Sequence, residues 1–544
     1  MIPLNKVLSF FIDSPRMKKI FLFFLLSLTF YSYSQPAISP IQWEHQFSNS
    51  RGRVIKKDFE GNLLVVGRAA FGTIIAKFDT SGNLLWQEIS NDQYYLLHDM
   101  DIDSDGSVYF AGYIFDTTLT ITGNPFLIKY NSFGVRQWVR VIESGKAFKI
   151  KVFNNKHIYI AGIRDSTNIF PGAVRAFVAC FDSSGNRSWY HLDSSNYETN
   201  GYILEIDKSG NAYMGGFSGC CLPGYDFFVT KLDSNGAKIW SNNYPDPNIN
   251  FTAPQFSTID DSANIYISGI ATIAGGVPFD CLVAKVDSSG NLKWWSSYAR
   301  NLGNNEWEKP QNLISDKHGN LYAIGYIEDY TFSPIRQDAF ILKYTSTGQL
   351  RWDYIYNNNN TNSSDYLSSF IVVNDSVLVA AGSGIYSNTG GGLVVVALDT
   401  SGQLLTKLET NDFFAALDVV RSNSSFYFTG VRIDNSGAVG AYDSMTVFRV
   451  DYLSNTLSIN AFFSSQKLSV YPNPFSQKVK IEVSYQSHIK SVKLFNSIGR
   501  LVISEIDNDS SMQLDCAHLP FGLYLLEVID TEGNMSRKKL IKTK

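Results

Sequence analysis

The chain is poor in cysteine, in histidine and in net charge. There are 5 cysteines in 544 residues, at Cys180, Cys220, Cys221, Cys281 and Cys516. Their number is odd and their spacing fits no zinc pattern. Cys220 or Cys221 could meet Cys281, since both segments precede a comparable strand of neighbouring repeats. The other reading is free or buried thiols in a fold that needs no staples. The 7 histidines, His45, His98, His157, His191, His318, His488 and His518, form no H-E-x-x-H and stand beside no Cys or Ser in a recognised setting. The chain contains no G-x-S-x-G, no Walker A loop and no G-x-G-x-x-G, so no motif points to a catalytic residue, a quinone or a nucleotide. Charged residues make up 18% and the formal net charge is -4, which gives no strong pull towards nucleic acid. Past the first 34 residues, no apolar run is long enough for a transmembrane helix.

Aromatics are plentiful, at 14%, with 30 Tyr and 38 Phe, as strand surfaces favour. They recur in phase. Ile74–Gln87, IIAKFDTSGNLLWQ, returns as FLIKYNSFGVRQW, FVACFDSSGNRSW, FVTKLDSNGAKIW, CLVAKVDSSGNLKW and FILKYTSTGQLRW, and in decayed form as VVVALDTSGQLLT. Ile74, Ala76 and Phe78 point one way and Ile75 and Lys77 the other, which is strand alternation. An Asp that opens and a Gly that closes the next four residues predict a type I turn with a left-handed Gly. The Asp positions are Asp79, Asp182, Asp233 and Asp287. The glycines are Gly82, Gly134, Gly185, Gly236, Gly290, Gly348 and Gly402, spaced on the order of fifty residues apart. A second strand follows, carrying Trp86, Trp138, Trp189, Trp240, Trp294 or Trp352.

A Tyr-bearing strand alternates with this hairpin and ends at Gly112, Gly162, Gly216, Gly269, Gly325 and Gly430, with Leu64 and Val379 replacing Tyr in two weaker copies. A short apolar strand lies upstream of most copies. Four strands per unit suit a propeller blade. Three of the four strand types occur eight times, but the Trp strand follows its partner only seven times. The stretch Ile41–Phe47, with Trp43, precedes every other repeat element. It is expected to complete the last blade, whose other strands lie between Phe413 and Asp451, and so remove two exposed edges. The expectation is all-β: an eight-bladed β-propeller over 35–460, with seven blades the alternative, then a small Ig-like β-sandwich.

The repeat resembles the bacterial secreted β-propeller repeat known as SBBP, over roughly Ile41–Asn460. The Trp spacing is also similar to the tryptophan-docking motif of quinoprotein propellers, although there the Asp-to-Gly spacing is one residue longer. The resemblance implies a propeller and no defined activity.

At the N-terminus Met17-Lys18-Lys19 and the apolar Ile20–Phe30 read as a signal peptide over 1–34. Met1–Arg16 is then either a long leading region or a start placed upstream of a true start at Met17. After a polar linker, 461–467, a different pattern begins. Tyr471-Pro472-Asn473-Pro474 opens it, Gly499-Arg500 sits in a hairpin turn, Pro520, Gly522 and Tyr524 stand before and in another strand, and Lys538-Lys539 lie near the end. Over 468–544 these residues closely resemble the type A C-terminal sorting domain of the type IX secretion system. That implies a Bacteroidetes source, Sec export and passage through the outer membrane by the type IX machinery. It also implies that the sorting domain is removed, with the cargo released or linked to surface polysaccharide. Asp116-Thr117-Thr118, Asp165-Ser166-Thr167 and Asp261-Ser262-Ala263 resemble the O-glycosylation sequon of the Bacteroidetes, and turn chemistry explains the same pairs.

Three further sets of residues bear on function. Asp101, Asp103 and Asp105 open a D-x-D-x-D-G calcium loop, but Tyr109 and Gly112 stand where later ligands are needed; a polar turn is the other reading. Glu205, Asp226, Glu306 and Glu328 lie in or near segments that vary between repeats and would serve an acid pair at the propeller mouth. The variable segments are Phe115–Pro125, Arg164–Val174, Gly219–Asp226, Asn301–Pro310, Tyr330–Gln337 and Asn357–Asp365. They carry Tyr225, Trp307, Tyr330 and Phe332, which suit stacking on a sugar or peptide. The sequence therefore points to a secreted or surface protein that binds an extracellular polysaccharide or protein. A carbohydrate-active enzyme and a structural surface-layer component are the alternatives.

Overall fold

The structure, a computed structural model, describes residues 37–38, 41–453 and 469–543, except 70–71, 91–94, 115–122, 143, 166–172, 196, 220–225, 246–248, 274–278, 301–304, 334, 358–362, 374, 387–389, 411–413, 423–424, 433–442, 483–487, 497–499, 506–508 and 531–534. The leader, the 461–467 linker, Cys220, Cys221, Tyr225 and Gly499 lie outside the described residues. Strands and turns make up the described chain, with no helix among these residues. One compact unit is Pro36–Tyr452, and a second holds the strands from Ser469 onward.

In the first unit the strands come in antiparallel sets of four. Ser50–Lys57, Leu63–Ala69, Gly72–Phe78 and Leu84–Ser90 form the first set, each paired with the next. Sets of the same order occupy 95–141, 146–192, 199–244, 249–298, 306–356 and 363–409. The last two of these touch through a single parallel bridge, Gln337 to Ser364. A final set runs Phe414–Ser422, Ser425–Arg432 and Ser444–Leu453. Its fourth strand comes from the other end of the unit, since Trp43–Phe47 pairs with Ser444–Leu453, Trp43 opposite Arg449 and Phe47 opposite Met445. The pairing expected for Ile41–Phe47 is therefore present. The architecture is all-β and propeller-like.

Each hairpin turn does what its residues dictate. Gly82 N–H donates to Asp79 O, Asp79 N–H donates to Asn83 O, and the register shifts at Lys77/Phe78, a type I turn closed by a bulge. Gly82 sits at φ 90°. The Asp carboxylate organises the turn: Asp182 Oδ1 accepts from the amides of Asn186 and Ser184, and Oδ2 accepts from the Asn186 side chain. The Asn186 amide is the main reason that Asp182 is held below the usual carboxylate range, even though burial opposes the shift.

The tryptophan docks on the turn of the next set. Trp189 Nε1 donates to Ser234 O at 2.9 Å, and a Cβ on Gly236 would lie 2.5 Å from the Trp189 ring. Only glycine fits there, because the position combines positive φ with direct contact from an indole. The same pairing joins Trp86 to Gly134, Trp138 to Gly185, Trp240 to Gly290, Trp294 to Gly348 and Trp352 to Gly402. Trp43 repeats it on Gly82, donating to Thr80 O at 3.4 Å. The strand taken from the N-terminus is thus in register with the repeat.

A cross-strand row explains the Tyr and Lys positions. Tyr109, Lys129 and Trp138 lie side by side on adjacent strands. Lys129 Nζ stands 5.1 Å from the Tyr109 ring and donates to Ser183 O, the carbonyl that Trp138 also uses. Cys180 occupies the Lys position, between Tyr159 and Trp189. It is fully buried, and burial pushes its thiol up to about 12. Lys77 has an acid partner in its own set, Asp58 at 2.8 Å. The matching turn beside Cys180 is Asn154-Asn155, so the carboxylate and the cation are absent together.

Apolar side chains meet between sets, not within one. Leu64, Val66 and Ile75 of the first set pack with Met100, Phe110 and Phe126 of the second. Comparable clusters join each later set to its successor. Phe47, Tyr427, Met445 and Val447 of the last set pack with Ile55, Val65 and Phe78 of the first, so the succession returns on itself. The first strands of successive sets also neighbour one another all the way round. Their outer edges are protected by side chains. Asp99 accepts from Ile150 N–H, Asp101 from Val152 N–H and Asp418 from Ile55 N–H, each across to the next set.

The second unit has a three-stranded sheet, Ser469–Tyr471, Lys478–Glu482 and Ser511–Asp515, and a four-stranded sheet, Leu501–Glu505, Ile489–Asn496, Gly522–Asp530 and Met535–Lys542. Val470, Val479, Ile481 and Leu514 from the first share a core with Val492, Leu494, Leu526, Val528 and Leu540 from the second. The peptides before Pro472 and Pro474 are cis. Asn473 Oδ1 accepts from Ile541 N–H, and Phe475 exchanges backbone bonds with Ile541 and Thr543, so the opening motif fastens the last strand. Tyr524 O–H donates to Pro520 O at 2.6 Å. Arg500 N–H donates to Asn496 Oδ1, Gly522 sits at φ 149°, and Lys538 and Lys539 pair with Leu526 and Leu525. Lys542 is buried and donates to Cys516 O and Ala517 O.

Candidate functional site

Consecutive antiparallel strands place their connections alternately at two ends. The repeated Asp–Gly turns follow first and third strands and lie at one end. All six variable segments follow second or fourth strands, so the described strand ends that flank them lie at the other end. Much of that end lies outside the described residues. Its described part is richest where the set 249–298 meets the set 306–356.

Trp307 is at the centre of that region. Its ring lies 4.8 Å from Tyr330 and 4.8 Å from Phe279, with Lys309 Nζ 5.1 Å above it. Lys309 and Glu328 form an ion pair at 2.7 Å. Tyr330 O–H donates to Glu328 at 2.6 Å and the Gln337 amide donates to it at 3.1 Å. Burial alone would raise the Glu328 carboxyl, but the bonds from Lys309 and Tyr330 outweigh it and hold the group below its ordinary value. Burial, with Glu328 next, pushes the Tyr330 phenol up to about 12. Tyr330 and Phe332 are each 39% exposed, and Arg336 lies 5.7 Å over the Phe332 ring. The result is an aromatic shelf edged by groups that can donate and accept.

Beneath the shelf is a buried ion network. Successive strand residues face opposite ways, so Glu306 and Glu308 turn inward. Arg300 bonds Glu306 at 2.5 Å and Asp338 at 2.6 Å, and Arg336 reaches Asp338 at 3.1 Å. Burial would lower the Arg300 guanidinium, but the bonds to Glu306 and Asp338 raise it. Glu308 is 1% exposed, and its Oε1 accepts from Arg300 N–H while Oε2 has no partner among the described residues. Burial, with Asp280 and Glu306 adding repulsion, pushes Glu308 up to about 7.

Of the four carboxylates expected at a propeller mouth, Glu306 and Glu328 fall in this region and the other two do not. Glu205 is tied to Lys151 at 3.0 Å and accepts from Ser257. Asp226 begins a third strand opposite Ser218, and burial raises its carboxyl. No hydrogen bond or ion pair joins any two of the four among the described residues. Tyr330 and Phe332 are exposed, as expected, whereas Trp307 is half-buried between Tyr330 and Phe279. Glu308, Arg300 and Asp338 were not legible in the sequence, although the Glu-x-Glu alternation at a strand start was available.

The calcium-loop expectation does not hold as a site. Asp101 Oδ2 accepts from Val152 N–H, and burial raises its carboxyl. Asp103 accepts from Asp105 N–H, Ser107 N–H and the Tyr109 hydroxyl, as a turn residue would. The three carboxylates do not converge, and no group of three or more His, Cys, Asp or Glu suited to a metal is found among the described residues. Cys281 is free and fully buried, and Cys220 and Cys221, the partners considered for it, lie outside the described residues.

Residues 469–543 match the family described as a secretion system C-terminal sorting domain. This supports a protein sorted by type IX secretion, secreted or held at the cell surface, and interacting with that machinery. No described helix is long and apolar enough to cross a membrane. None of the curated proteins matches the chain. Among solved structures it is similar to the polysaccharide lyase Uly1, at 9% identity and TM-score 0.41 over 65% of this chain and 89% of that one. It is also similar to prolyl oligopeptidase B from Galerina marginata, at 11% and 0.40, over 71% of this chain and 56% of that one. A protein of unknown function from Dyadobacter fermentans DSM 18053 matches at 10% and 0.31, over 56% and 93%. Likenesses this distant carry no argument about what this chain does.

Proposed function

We propose that the chain is a non-enzymatic binding or adhesion protein of the cell exterior, built as an eight-bladed β-propeller over 35–460. In this reading 1–34 is a signal peptide for Sec export from a Bacteroidetes cell, 461–467 is a linker and 468–544 is an Ig-like type A sorting domain removed on passage. The ligand is an extracellular glycan. A protein ligand is the other outcome that the same surface would serve. The observation that carries the reading is the pairing of a half-buried Trp307 with the partly exposed Tyr330, with Phe332 exposed nearby in the chain, in segments that differ between repeats. Sugar rings stack on such faces while edge hydroxyls bond to flanking polar groups, here Lys309, Glu328 and Gln337. Against catalysis by Glu306 and Glu328 stands their tight pairing to Arg300 and Lys309.

Two measurements test this. Intact-mass analysis of the protein from fractionated host cells should find it at the surface or in the medium, lacking 1–34 and roughly 468 onward. A periplasmic chain that keeps its C-terminal unit would overturn the export reading. On a glycan array the mature propeller should bind a restricted set of sugars without cleaving them. Trp307→Ala should weaken that binding about tenfold at a temperature where the variant, which also loses packing against Tyr330 and Phe279, is still folded. Binding that survives Trp307→Ala, or products released from the glycan, would overturn the shelf as the site or the non-enzymatic reading respectively.

A further inference from the structure

Each of the eight first strands is bulged once, at the same place in its set. The bulge leaves one residue without a partner on the second strand and re-aims its side chain. The first strands neighbour one another all the way round, so these extra residues stand along the inner ring. The fold fixes their position and leaves their chemistry open. In four successive sets they are Arg53, His98, Phe148 and Tyr202, and in the other four they are neither charged nor aromatic.

The four make one arc. Arg53 Nη2 lies 3.0 Å from His98 Nδ1, the His98 ring meets Phe148 edge-on at 5.3 Å, and Phe148 stacks on Tyr202 at 5.0 Å. Tyr113 stacks on His98 at 5.3 Å, and Lys146 Nζ lies 5.0 Å from the Tyr113 ring. Lys146 opens its first strand and Tyr113 stands one residue before the end of its second strand, so the arc lies towards the end where the repeats differ. Arg68, exposed near the end of Leu63–Ala69, adds its charge beside Arg53.

The arc presents donors. A guanidinium can only donate, so His98 Nδ1 accepts from Arg53 and the ring carries its proton on Nε2. Burial, then the charges of Arg53, Lys146 and Lys149, push His98 down to about 3 and keep it neutral. Among the described residues no acceptor meets His98 Nε2 or the hydroxyls of Tyr113 and Tyr202, and no carboxylate forms an ion pair with Arg53, Arg68, Lys146 or Lys149. Further along the same first strands the cations do have acids, Lys56 with Asp101 at 3.9 Å and Lys151 with Glu205 at 3.0 Å. Two acids act on the arc through space, Asp99 on Arg53 and Glu198 on Tyr202. Asp99 already accepts from the amides of Met100 and Ile150, and Glu198 from the Asn200 side chain.

We propose that this arc of the inner ring is a binding site for the oxyanion groups, carboxylate or sulfate, of an acidic glycan. Clustered cations and unmatched donors call for an acceptor-rich anion, and aromatic ring edges, the positive part of the quadrupole, favour one as well. The choice of a glycan among anions rests on the export that the sorting domain supports. The site lies on the first four sets and does not need the Trp307 shelf.

The test is calorimetric titration of the full-length chain with oligogalacturonate, dextran sulfate oligosaccharide, neutral dextran and a short single-stranded DNA, at low and raised salt. One or both acidic glycans should bind, with affinity falling as salt rises, and neutral dextran should not. The tighter of the two identifies carboxylate or sulfate as the group recognised. Arg53→Gln and Lys149→Gln should each weaken that binding about tenfold, the worth of one charge-assisted hydrogen bond, with the melting temperature unchanged. Lys208→Gln, which removes an exposed cation in a turn at the opposite end, and Trp307→Ala should leave the affinity as it was. No binding of either acidic glycan at low salt, or binding that survives both Arg53→Gln and Lys149→Gln, would overturn the site. An equal loss on Lys208→Gln would also overturn it, since the binding would then be a general surface-charge effect. Tighter binding of the DNA than of both glycans would overturn the glycan as its occupant.

Discussion

A chain that lacks only Trp43–Phe47 is expected to lose the single cooperative unfolding transition of the propeller unit and to aggregate. Those five residues cover the outer edge of Ser444–Leu453, from Trp43 opposite Arg449 to Phe47 opposite Met445. Removing them bares a row of backbone donors and acceptors able to recruit another chain. They also take away Phe47, 8% exposed, from the cluster that joins the last set to the first, and Trp43 from Gly82. Phe47→Ala alone should cost about 3 kcal/mol, from lost transfer and an unfilled cavity. The deletion should cost more, since the ring then has two open faces in place of one imperfect contact. Trp189→Ala, at an internal junction, makes a good comparison. It removes one dock but leaves both neighbouring sets paired and packed, so it should cost less than the deletion. Urea unfolding followed by tryptophan fluorescence, with size-exclusion chromatography of the native state, reads both effects. If the deletion variant unfolds at the wild-type midpoint as a monomer, closure through the N-terminal strand is not what holds the unit together.

How far the sequence alone could reach depended on the range of the interaction. The Asp79–Gly82 turn was legible because its partners lie within four residues and the residue types leave little choice of geometry. The role of Ile41–Phe47 was legible through phase: a Trp strand missing at one end matched a spare one at the other. The docking of each Trp was legible only through resemblance to a docking motif, because its contacts lie some 45 residues on, as with Trp189 Nε1 and Ser234 O. Sequence pattern showed both partners and could not show that they meet. Asp101, Asp103 and Asp105 misled for the opposite reason. They are close in sequence, but the first faces the amide of a neighbouring set and the second closes its own turn. At the shelf, Asn301–Pro310 reads in the sequence as a variable segment, whereas Glu306 opens a strand that puts Trp307 and Lys309 on one face and Glu306 and Glu308 on the other. Only burial, with Asp280 and Glu306 adding repulsion, pushes Glu308 up, and sequence pattern does not show burial.

That burial has a measurable consequence. Arg300→Met should destabilise the protein by about 3–5 kcal/mol at pH 8, because it leaves Glu306 and Asp338 buried with Arg336, bonded to Asp338, the remaining cation of the network among the described residues. The methionine fills similar space, so the cost is electrostatic and should shrink as acid neutralises the carboxylates. The wild type already carries a related slope. Glu308 titrates near 7 in the folded chain against an ordinary 4.5, so the folded state binds more protons than the unfolded state between those values. Its contribution is full below about 4.5 and is lost as pH rises through 7. At 1.36 kcal/mol per unit the loss is at most about 3 kcal/mol. Glu308→Gln keeps the acceptor for Arg300 N–H and removes the titration, so its stability should be flatter between pH 4.5 and 7.5 and should exceed the wild type at the upper end. Urea midpoints across that range decide it. An unchanged slope in Glu308→Gln would mean that the carboxyl is hydrated in solution and that another group sets the pH dependence. Wild-type stability of Arg300→Met at pH 8 would mean that Glu306 and Asp338 do not depend on the guanidinium.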